Sequence, residues 1–466
     1  MSDSPRNHDG LVTERTAGGL PHRRPAPGRL PNQRSDQSGL AILTIYICLV
    51  YLVPGFYTLG FVGTPATICG LVALLAWSVR RYSDGKAVLA SDGLRYAVIL
   101  FCVAIVASFA STSLRHPPAV EMRMADRGVI FGLSMLGVVL LASDYLAPRM
   151  LDALLGRLVL LVGALGALAA VQYFTAIDIG HLIRPPLLTD TSDVTSSYGR
   201  AGLTRPSVTA THPIELSVTF ALVMPVAVAR ALVASAGWQR LGRWMLVTLI
   251  LTAIPLTISR AGILGLVAGF ALTVPFWPLK WLLRCLAIAV GFIGALVAAA
   301  PALVHAITDL FTSIGTDDST QSRIDAIPAA LHYFDRSPVF GIGLFTFLPN
   351  RYVILDNEWL KVLVETGVFG FVALCVVIGA AFRHARVAWR KSSSEAIRQY
   401  GLALSAGVSC GIVTFYTFDA FSFQMASYTL FLFVGLSGAV ARAALSEGRS
   451  RTENSFATFP APTRRW

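Results

Sequence analysis

Residues 96–112 read YAVILFCVAIVASFAST, seventeen consecutive residues without a charged side chain. A helix of that length extends about 26 Å, close to the hydrocarbon thickness of a bilayer, which is about 30 Å. Similar stretches recur along the 466-residue chain, which is 55% hydrophobic, only 14% charged and has a mean hydropathy of +0.63. Soluble domains usually carry about 25% charged residues. The sequence therefore predicts an all-α protein that crosses a membrane many times.

The apolar stretches predict about twelve transmembrane helices between two polar tails. Residues 1–38 are basic, are rich in Pro and Gly and lack the apolar region of a signal peptide, so we expect a disordered cytosolic tail. Residues 443–466 form the second cytosolic tail. Nine spans are expected within 39–300 and three within 357–442. The predicted spans are 39–56, 58–78, 96–112, 128–147, 153–174, 213–233, 243–259, 261–277, 282–300, 357–382, 400–418 and 421–442.

Lysine and arginine positions determine the predicted orientation. With the N-terminus inside, about 27 of the 38 basic residues fall in inner loops and tails, and the other 11 fall outside. Membrane proteins keep positive charge on the inner side, and the reverse topology would invert this ratio. We therefore predict that both termini lie inside.

A net charge of +12 is also typical of proteins that bind nucleic acids. The basic residues flank apolar segments and do not form one patch, so topology accounts for them and no nucleic-acid partner is predicted. The six cysteines all lie within apolar stretches, which gives neither a disulfide framework nor a metal-ligand pattern.

Two long segments fall on the predicted outer side, 175–212 and 301–356. Long loops in compact proteins are usually functional. The second is expected to be a large periplasmic loop and contains an amphipathic stretch from Ser319 to Asp335. We expect this stretch to lie as a helix along the outer interface, with Pro328 at its start or at a kink.

Arg260 departs most clearly from the inner bias of the basic residues. It lies in Ser259-Arg260-Ala261-Gly262, a tight outer turn that begins a span. Free backbone N–H groups at a helix start and a guanidinium group together suit an anion such as phosphate. An arginine that merely extends to the interface is the alternative.

A second group of outer residues lies where the first long loop leads into a span. Arg200 and Arg205 belong to a glycine-bearing segment that precedes Thr211-His212-Pro213-Ile214-Glu215. Glu215 suits the positive end of the following helix, and His212 is interpreted mainly as a local hydrogen-bonding residue.

Arg323 lies on the polar side of the amphipathic stretch. A pair with Asp325 is not expected, because residues two apart on a helix diverge, which leaves the arginine for another partner. An ordinary solvated helix face is the alternative.

The last candidate cluster lies at the start of the 357–382 span. Lys361 and Glu365 are four residues apart and are expected to pair, which makes Glu365 structural. Asp356 and Glu358 lie nearer to water and are better placed to accept a proton.

The order of these motifs resembles the O-antigen ligase and polymerase superfamily, which also includes exopolysaccharide polymerases. The resemblance covers about residues 40–440. The motifs are a Gly-Arg-x-Gly loop at 199–202 before His212-Pro213, Ser-Arg-x-Gly at 259–262, Arg323 before Ser337-Pro338-Val339-Phe340-Gly341-Ile342-Gly343, and Asn357-x-x-Leu360 followed by Gly367.

The resemblance implies a glycosyltransferase of the bacterial inner membrane with its active site facing the periplasm. The donor would be an oligosaccharide linked to undecaprenyl pyrophosphate, whose lipid chain lies among the membrane lipids. No cofactor or metal would be needed. The residues that bind this donor would be Arg200, Arg205, Arg260, Arg323, His212 and Asn357. The sequence leaves open whether a co-polymerase or chain-length regulator takes part.

One departure from the family pattern bears on the reaction. Ligases of this family carry a histidine just before the Asn-x-x-Leu motif, and here that position is Asp356. Asp356 or Glu358 would then act as the base. This favours polymerisation of O-antigen or exopolysaccharide repeat units over an O-antigen ligase that transfers glycan to lipid A core. The alternative of another class is a flippase for lipid-linked saccharides.

Overall fold

The computed structural model describes residues 33–85, 92–192, 199–200, 202–235, 237–312 and 318–457. Its helices are α1 Gln33–Leu52, α2 Pro65–Ser83, α3 Gly93–Leu114, α4 Ala119–Tyr145, α5 Pro148–Thr175, α6 Ile179–Leu182, α7 Pro213–Leu232, α8 Trp238–Leu256, α9 Arg260–Thr273, α10 Leu279–Ala299, α11 Pro301–Thr312, α12 Asp318–Arg336, α13 Glu358–Lys391, α14 Glu395–Thr414 and α15 Gln424–Ala457. Four two-residue strands pair as β1 Tyr57–Thr58 with β2 Thr189–Asp190, and β3 Gly199–Arg200 with β4 Leu203–Thr204.

The helical membrane architecture expected from the sequence is confirmed. Each of the twelve predicted spans overlaps a different long helix. Within the described ranges, seven helices are long and apolar enough to cross a membrane: α3, α4, α5, α7, α10, α13 and the part of α15 up to Gly448. Two shorter apolar helical stretches, Gln37–Leu52 and Arg260–Phe276, coincide with further predicted spans. The full count of twelve and the N-in orientation stay predictions.

The centre of the bundle is α7. Every residue from Glu215 to Ala231 is buried, and the helix packs against α8, α9, α14 and α15. A helix that is apolar on all sides is expected in such a position. Its first turn lies at the same end of the bundle as the α8–α9 turn and the α14–α15 connection. We call this the site end.

α13 is broken at Gly367, where the sequence predicted one continuous span. Gly367 has φ 66°, and a Cβ atom there would lie 2.2 Å from the carbonyl oxygen of Val339, so only glycine fits. The connecting segment fills the break: Val368 N–H donates to Pro338 O at 2.8 Å, and Gly343 N–H donates to Glu365 O at 2.8 Å. The backbone groups released by the break are therefore satisfied inside the protein.

The one-residue gap between the first two predicted spans, 39–56 and 58–78, is wrong. α1 ends at Leu52 and α2 begins only at Pro65. Pro54 and Gly55 interrupt the helix, and the intervening chain forms β1, which pairs with β2 of the 175–212 loop. The short connection predicted between α8 and α9 is confirmed as Thr257–Ser259.

The second outer segment contains two helices, α11 and α12. The amphipathic stretch from Ser319 to Asp335 is helical, and Pro328 lies inside α12. Ala326 and Ala330 are buried against the protein, whereas Ile324 and Leu331 are exposed and remain available to the predicted interface.

The first and last helices extend into the segments that were predicted as tails. α1 begins at Gln33 and α15 continues to Ala457, beyond the predicted span end at residue 442. Residues 1–32 lie outside the described part of the chain.

Candidate active site

Arg205 contacts the α8–α9 turn, and Arg260 follows that turn directly. The Arg205 Nε group donates a hydrogen bond to Thr257 O at 2.9 Å, and Arg260 begins α9 three residues later. The Arg260 Nη1 group donates to Leu310 O at 3.2 Å and so also contacts α11. These carbonyl bonds orient the two guanidinium groups.

The α8–α9 turn is strained. Ile258 has φ 49° and is fully buried, a left-handed conformation that is unfavourable for a β-branched residue. Such strain costs about 1–3 kcal/mol and is concentrated at functional sites. The strain makes this turn a candidate for a functional site.

His212 caps the start of α7. Its Nδ1 atom accepts a hydrogen bond from Ile214 N–H at 3.1 Å, which confirms the local hydrogen-bonding role. Burial and then the positive charge of Arg205 lower the pKa of His212 to about 4. The imidazole is therefore neutral at pH 7 and contributes no positive charge to a phosphate site.

Arg200 lies in β3, but its side chain lies outside the described part of the structure. Glu215 is buried one turn after His212. Its carboxylate accepts hydrogen bonds from Thr211 N–H at 2.7 Å and from Met425 N–H, so it joins the starts of α7 and α15.

Arg323 and Asp356 approach each other between α12 and the start of α13. The Arg323 Nη2 group donates to Thr417 O at 2.9 Å and lies 3.5 Å from Asp356 Oδ2. As expected, Arg323 does not pair with Asp325, which accepts from Gln321. Burial raises the pKa of Asp356, and the positive charge of Arg323 partly opposes this.

Asn357 and Glu358 have structural contacts at the start of α13. The Asn357 side chain caps the helix by accepting from Leu360 N–H at 3.2 Å. Glu358 is fully buried and accepts from Phe421 N–H at 2.9 Å. Of the two carboxylates predicted as bases, Asp356 is the one within reach of solvent.

The predicted pair between Lys361 and Glu365 does not form. The Lys361 Nζ group binds Asp419 Oδ2 at 3.2 Å and Ser422 Oγ at 2.7 Å, because the α14–α15 connection brings a carboxylate and a hydroxyl directly over it. Glu365 instead accepts from Phe347 N–H at 3.1 Å. Its predicted structural role is therefore confirmed with a different partner.

The α14–α15 connection, residues 415–423, links most of these groups. It offers Thr417 O to Arg323, Asp419 to Lys361 and Phe421 N–H to Glu358. The predicted spans left only two residues between them here, so this connection was missed. Asp419, an ionisable residue between two apolar stretches, was the available signal.

A cavity of about 380 Å³ opens at the site end beside this connection. Gln424 Oε1 is buried and has no hydrogen-bond partner among the described residues. Arg205, Arg260 and Arg323 are not among the residues that line this cavity. Its polar wall contains Arg127, Lys361, Asp419 and Gln424, and its aromatic wall contains Phe131, Phe345, Phe347, Phe421 and Tyr428.

Residues 245–375 match the Wzy_C family model, which is described as O-antigen ligase. Residues 245–375 thus correspond to an O-antigen ligase domain. No curated protein sequence matches the chain. The family resemblance is confirmed over the matched region, which runs from α8 into α13. A Wzy_C domain indicates a multi-pass membrane enzyme of polysaccharide biosynthesis, with glycan transfer of the ligase or polymerase kind.

The O-antigen ligase domain includes only part of the candidate site. Arg260, Arg323 and Asp356 lie within it, together with the broken helix α13 up to residue 375. Arg205 precedes it, and Asp419 follows it. The geometry therefore joins flanking residues to the matched domain.

Proposed function

We propose that this protein polymerises O-antigen or exopolysaccharide repeat units on the periplasmic face of the inner membrane. The donor is an oligosaccharide linked to undecaprenyl pyrophosphate. The observation that carries this proposal is the placement of Arg205 and Arg260 at one strained turn of the matched O-antigen ligase region.

The two arginines stabilise the leaving group. When the bond between the anomeric carbon and the pyrophosphate oxygen breaks, negative charge develops on the pyrophosphate. Guanidinium groups already oriented by Thr257 O and Leu310 O meet this charge without reorganising. The lipid pyrophosphate is itself the activated leaving group, so the reaction requires neither a nucleotide sugar nor a metal.

Asp356 takes the proton of the acceptor hydroxyl. The hydroxyl oxygen forms the new bond to the anomeric carbon, undecaprenyl pyrophosphate departs, and the proton passes through the Asp356 carboxylate to water. A carboxylate whose pKa is raised by burial is a better base than an exposed one. Arg323 holds this carboxylate at the start of α13.

The cavity at the site end suits the saccharide. Sugars present apolar C–H faces and polar hydroxyl edges, and the cavity offers aromatic rings beside Arg127, Asp419 and Gln424. Aromatic walls with a few polar groups that fix orientation are typical of ligand pockets. Its volume of about 380 Å³ accommodates part of an oligosaccharide.

Transfer to lipid A core is the second candidate, since the matched family is described as O-antigen ligase. The aspartate at position 356, where ligases carry histidine, favours polymerisation. A flippase is the candidate of another class, because broken helices such as α13 also occur in transporters.

The test uses purified protein in liposomes with an undecaprenyl-pyrophosphate-linked repeat unit and a lipid A core acceptor. The products are separated by size and by lipid anchor. The variants are Arg205→Ala and Arg260→Ala, and Arg184→Ala, an exposed arginine of the 175–212 loop, is the matched control.

We expect a ladder of products on undecaprenyl pyrophosphate that Arg205→Ala and Arg260→Ala abolish and Arg184→Ala preserves. Saccharide on lipid A core would establish the ligase reaction in its place. Movement of intact donor across the bilayer without a new glycosidic bond would refute both enzyme reactions.

A further inference from the structure

α10 stands apart from the bundle. None of its residues is buried, unlike those of α7, α13 and α14. An apolar cavity of about 310 Å³ lies between α10 and the pair α8 and α9. Leu251, Phe270 and Cys285 are among its lining residues, one from each helix. The apolar lining of this groove suits a hydrocarbon chain.

A second cavity, of about 630 Å³, lies at the end of this groove away from the α8–α9 turn. Trp244 and Ile288 line both cavities, so the two adjoin each other. The second cavity is lined by three basic residues, Arg240, Lys280 and Arg284, and no acidic residue lines either cavity.

These three basic residues differ from other basic residues at the end of the bundle opposite the site end. Arg95 pairs with Asp144 at 2.8 Å, and Arg230 pairs with Asp152 at 3.0 Å. Arg240, Lys280 and Arg284 are exposed and make no ion pair within the described part of the chain. The cavity thus concentrates positive charge that the protein leaves uncompensated.

We propose that these two adjoining cavities bind one anionic phospholipid of the inner leaflet. Its phosphate lies against Arg240, Lys280 and Arg284, and one acyl chain lies in the groove along α10. Basic pockets between transmembrane helices bind anionic headgroups on the cytoplasmic side. Trp244, which lines both cavities, lies where headgroup and chain meet, a position that tryptophan favours in membranes.

This site is distinct from that of the proposed donor. Arg240 lies on the first turn of α8, and the α8–α9 turn follows its last residue. A helix of 19 residues is about 28 Å long, roughly the thickness of the hydrocarbon core. A headgroup in the basic cavity is therefore at the opposite side of the membrane from Arg260.

The test measures lipid retention by the full chain with native mass spectrometry. The probes are phosphatidylglycerol and phosphatidylcholine with identical acyl chains. The test variant is Lys280→Gln with Arg284→Gln. Its matched control is Arg386→Gln with Lys391→Gln, two exposed basic residues at the same end that do not line the cavities.

We expect tight retention of phosphatidylglycerol, which the test variant weakens roughly 30-fold and the control leaves unchanged. Ala289→Trp, which fills the groove, should weaken retention of both lipids, and unfolding curves should show that each variant is folded. Equal losses in the test and control variants would overturn the site, as would equal retention of the two lipids. A dimer that covers α10 and excludes lipid would assign the groove to a second copy of the chain instead.

Discussion

Removal of the Asp419 carboxylate should destabilise the protein strongly, although Asp419 lies in a connection between helices. Its partner Lys361 is only 5% exposed, and their charged atoms are 3.2 Å apart. Removing one member of a buried pair costs about 3–5 kcal/mol, because the other charge is left uncompensated. Lys361 keeps its bond to Ser422, and the carboxylates of Glu358 and Glu365 still interact with its charge. We therefore expect Asp419→Ala to cost about 3 kcal/mol, the lower end of that range.

The measurement is equilibrium unfolding in mixed micelles, with Arg398→Ala as the control. Arg398 pairs with Glu395 on the surface of α14, with side chains 44% and 52% exposed, and such a pair contributes only about 0.5 kcal/mol or less. Lys361→Met added to Asp419→Ala should recover part of the loss, since it removes the stranded charge. A cost for Asp419→Ala no larger than that for Arg398→Ala would refute the buried pair.

Three further predictions concern individual residues. Asp356→Asn should lower the rate of transfer by about 10²-fold or more, the typical contribution of a general base. It should also remove the acidic limb of the pH–rate profile, because the native carboxylate is inactive when it is protonated below its raised pKa. An unchanged profile would exclude Asp356 as the base. Gly367→Ala should abolish folding of the site end, since the new Cβ atom would lie 2.2 Å from Val339 O. Gly379→Ala has open space around the new Cβ atom and should be tolerated in the same unfolding assay. Equal stability of the two variants would contradict the break in α13. His212→Asn should retain the helix cap and most of the activity, with no change in rate near pH 6.5, because the pKa of His212 is about 4. Loss of a limb of the pH–rate profile near pH 6.5 would show that the histidine titrates in the reaction.

The sequence was sufficient to locate the long helices, but not all of their ends. Each stretch predicted from apolar length overlaps a helix, and helical spacing predicted the amphipathic helix that contains Arg323. The start of α9 at Arg260 and the separation of Arg323 from Asp325 also followed from local rules. These features depend on residues close together in the chain.

The parts that could not be predicted depend on distant segments. Lys361 was assigned to Glu365 because the two share a helix face, but Asp419, 58 residues away, reaches it instead. The break at Gly367 requires the backbone of residues 338–343 to replace helical hydrogen bonds, which no local pattern indicates. Likewise, the cavity is assembled from α2, α4, α13, α15 and three connections, so its walls are separated in sequence.

The most direct test of the central claim is the amount of undecaprenyl pyrophosphate released for each repeat unit transferred. Protein in liposomes with the lipid-linked repeat unit is followed by simultaneous assay of free undecaprenyl pyrophosphate and of glycan length. The account predicts one molecule released for each unit added, with both signals lost in Arg260→Ala and retained in Arg184→Ala. Glycan that changes membrane side without release of undecaprenyl pyrophosphate would contradict it, as would normal release by Arg260→Ala.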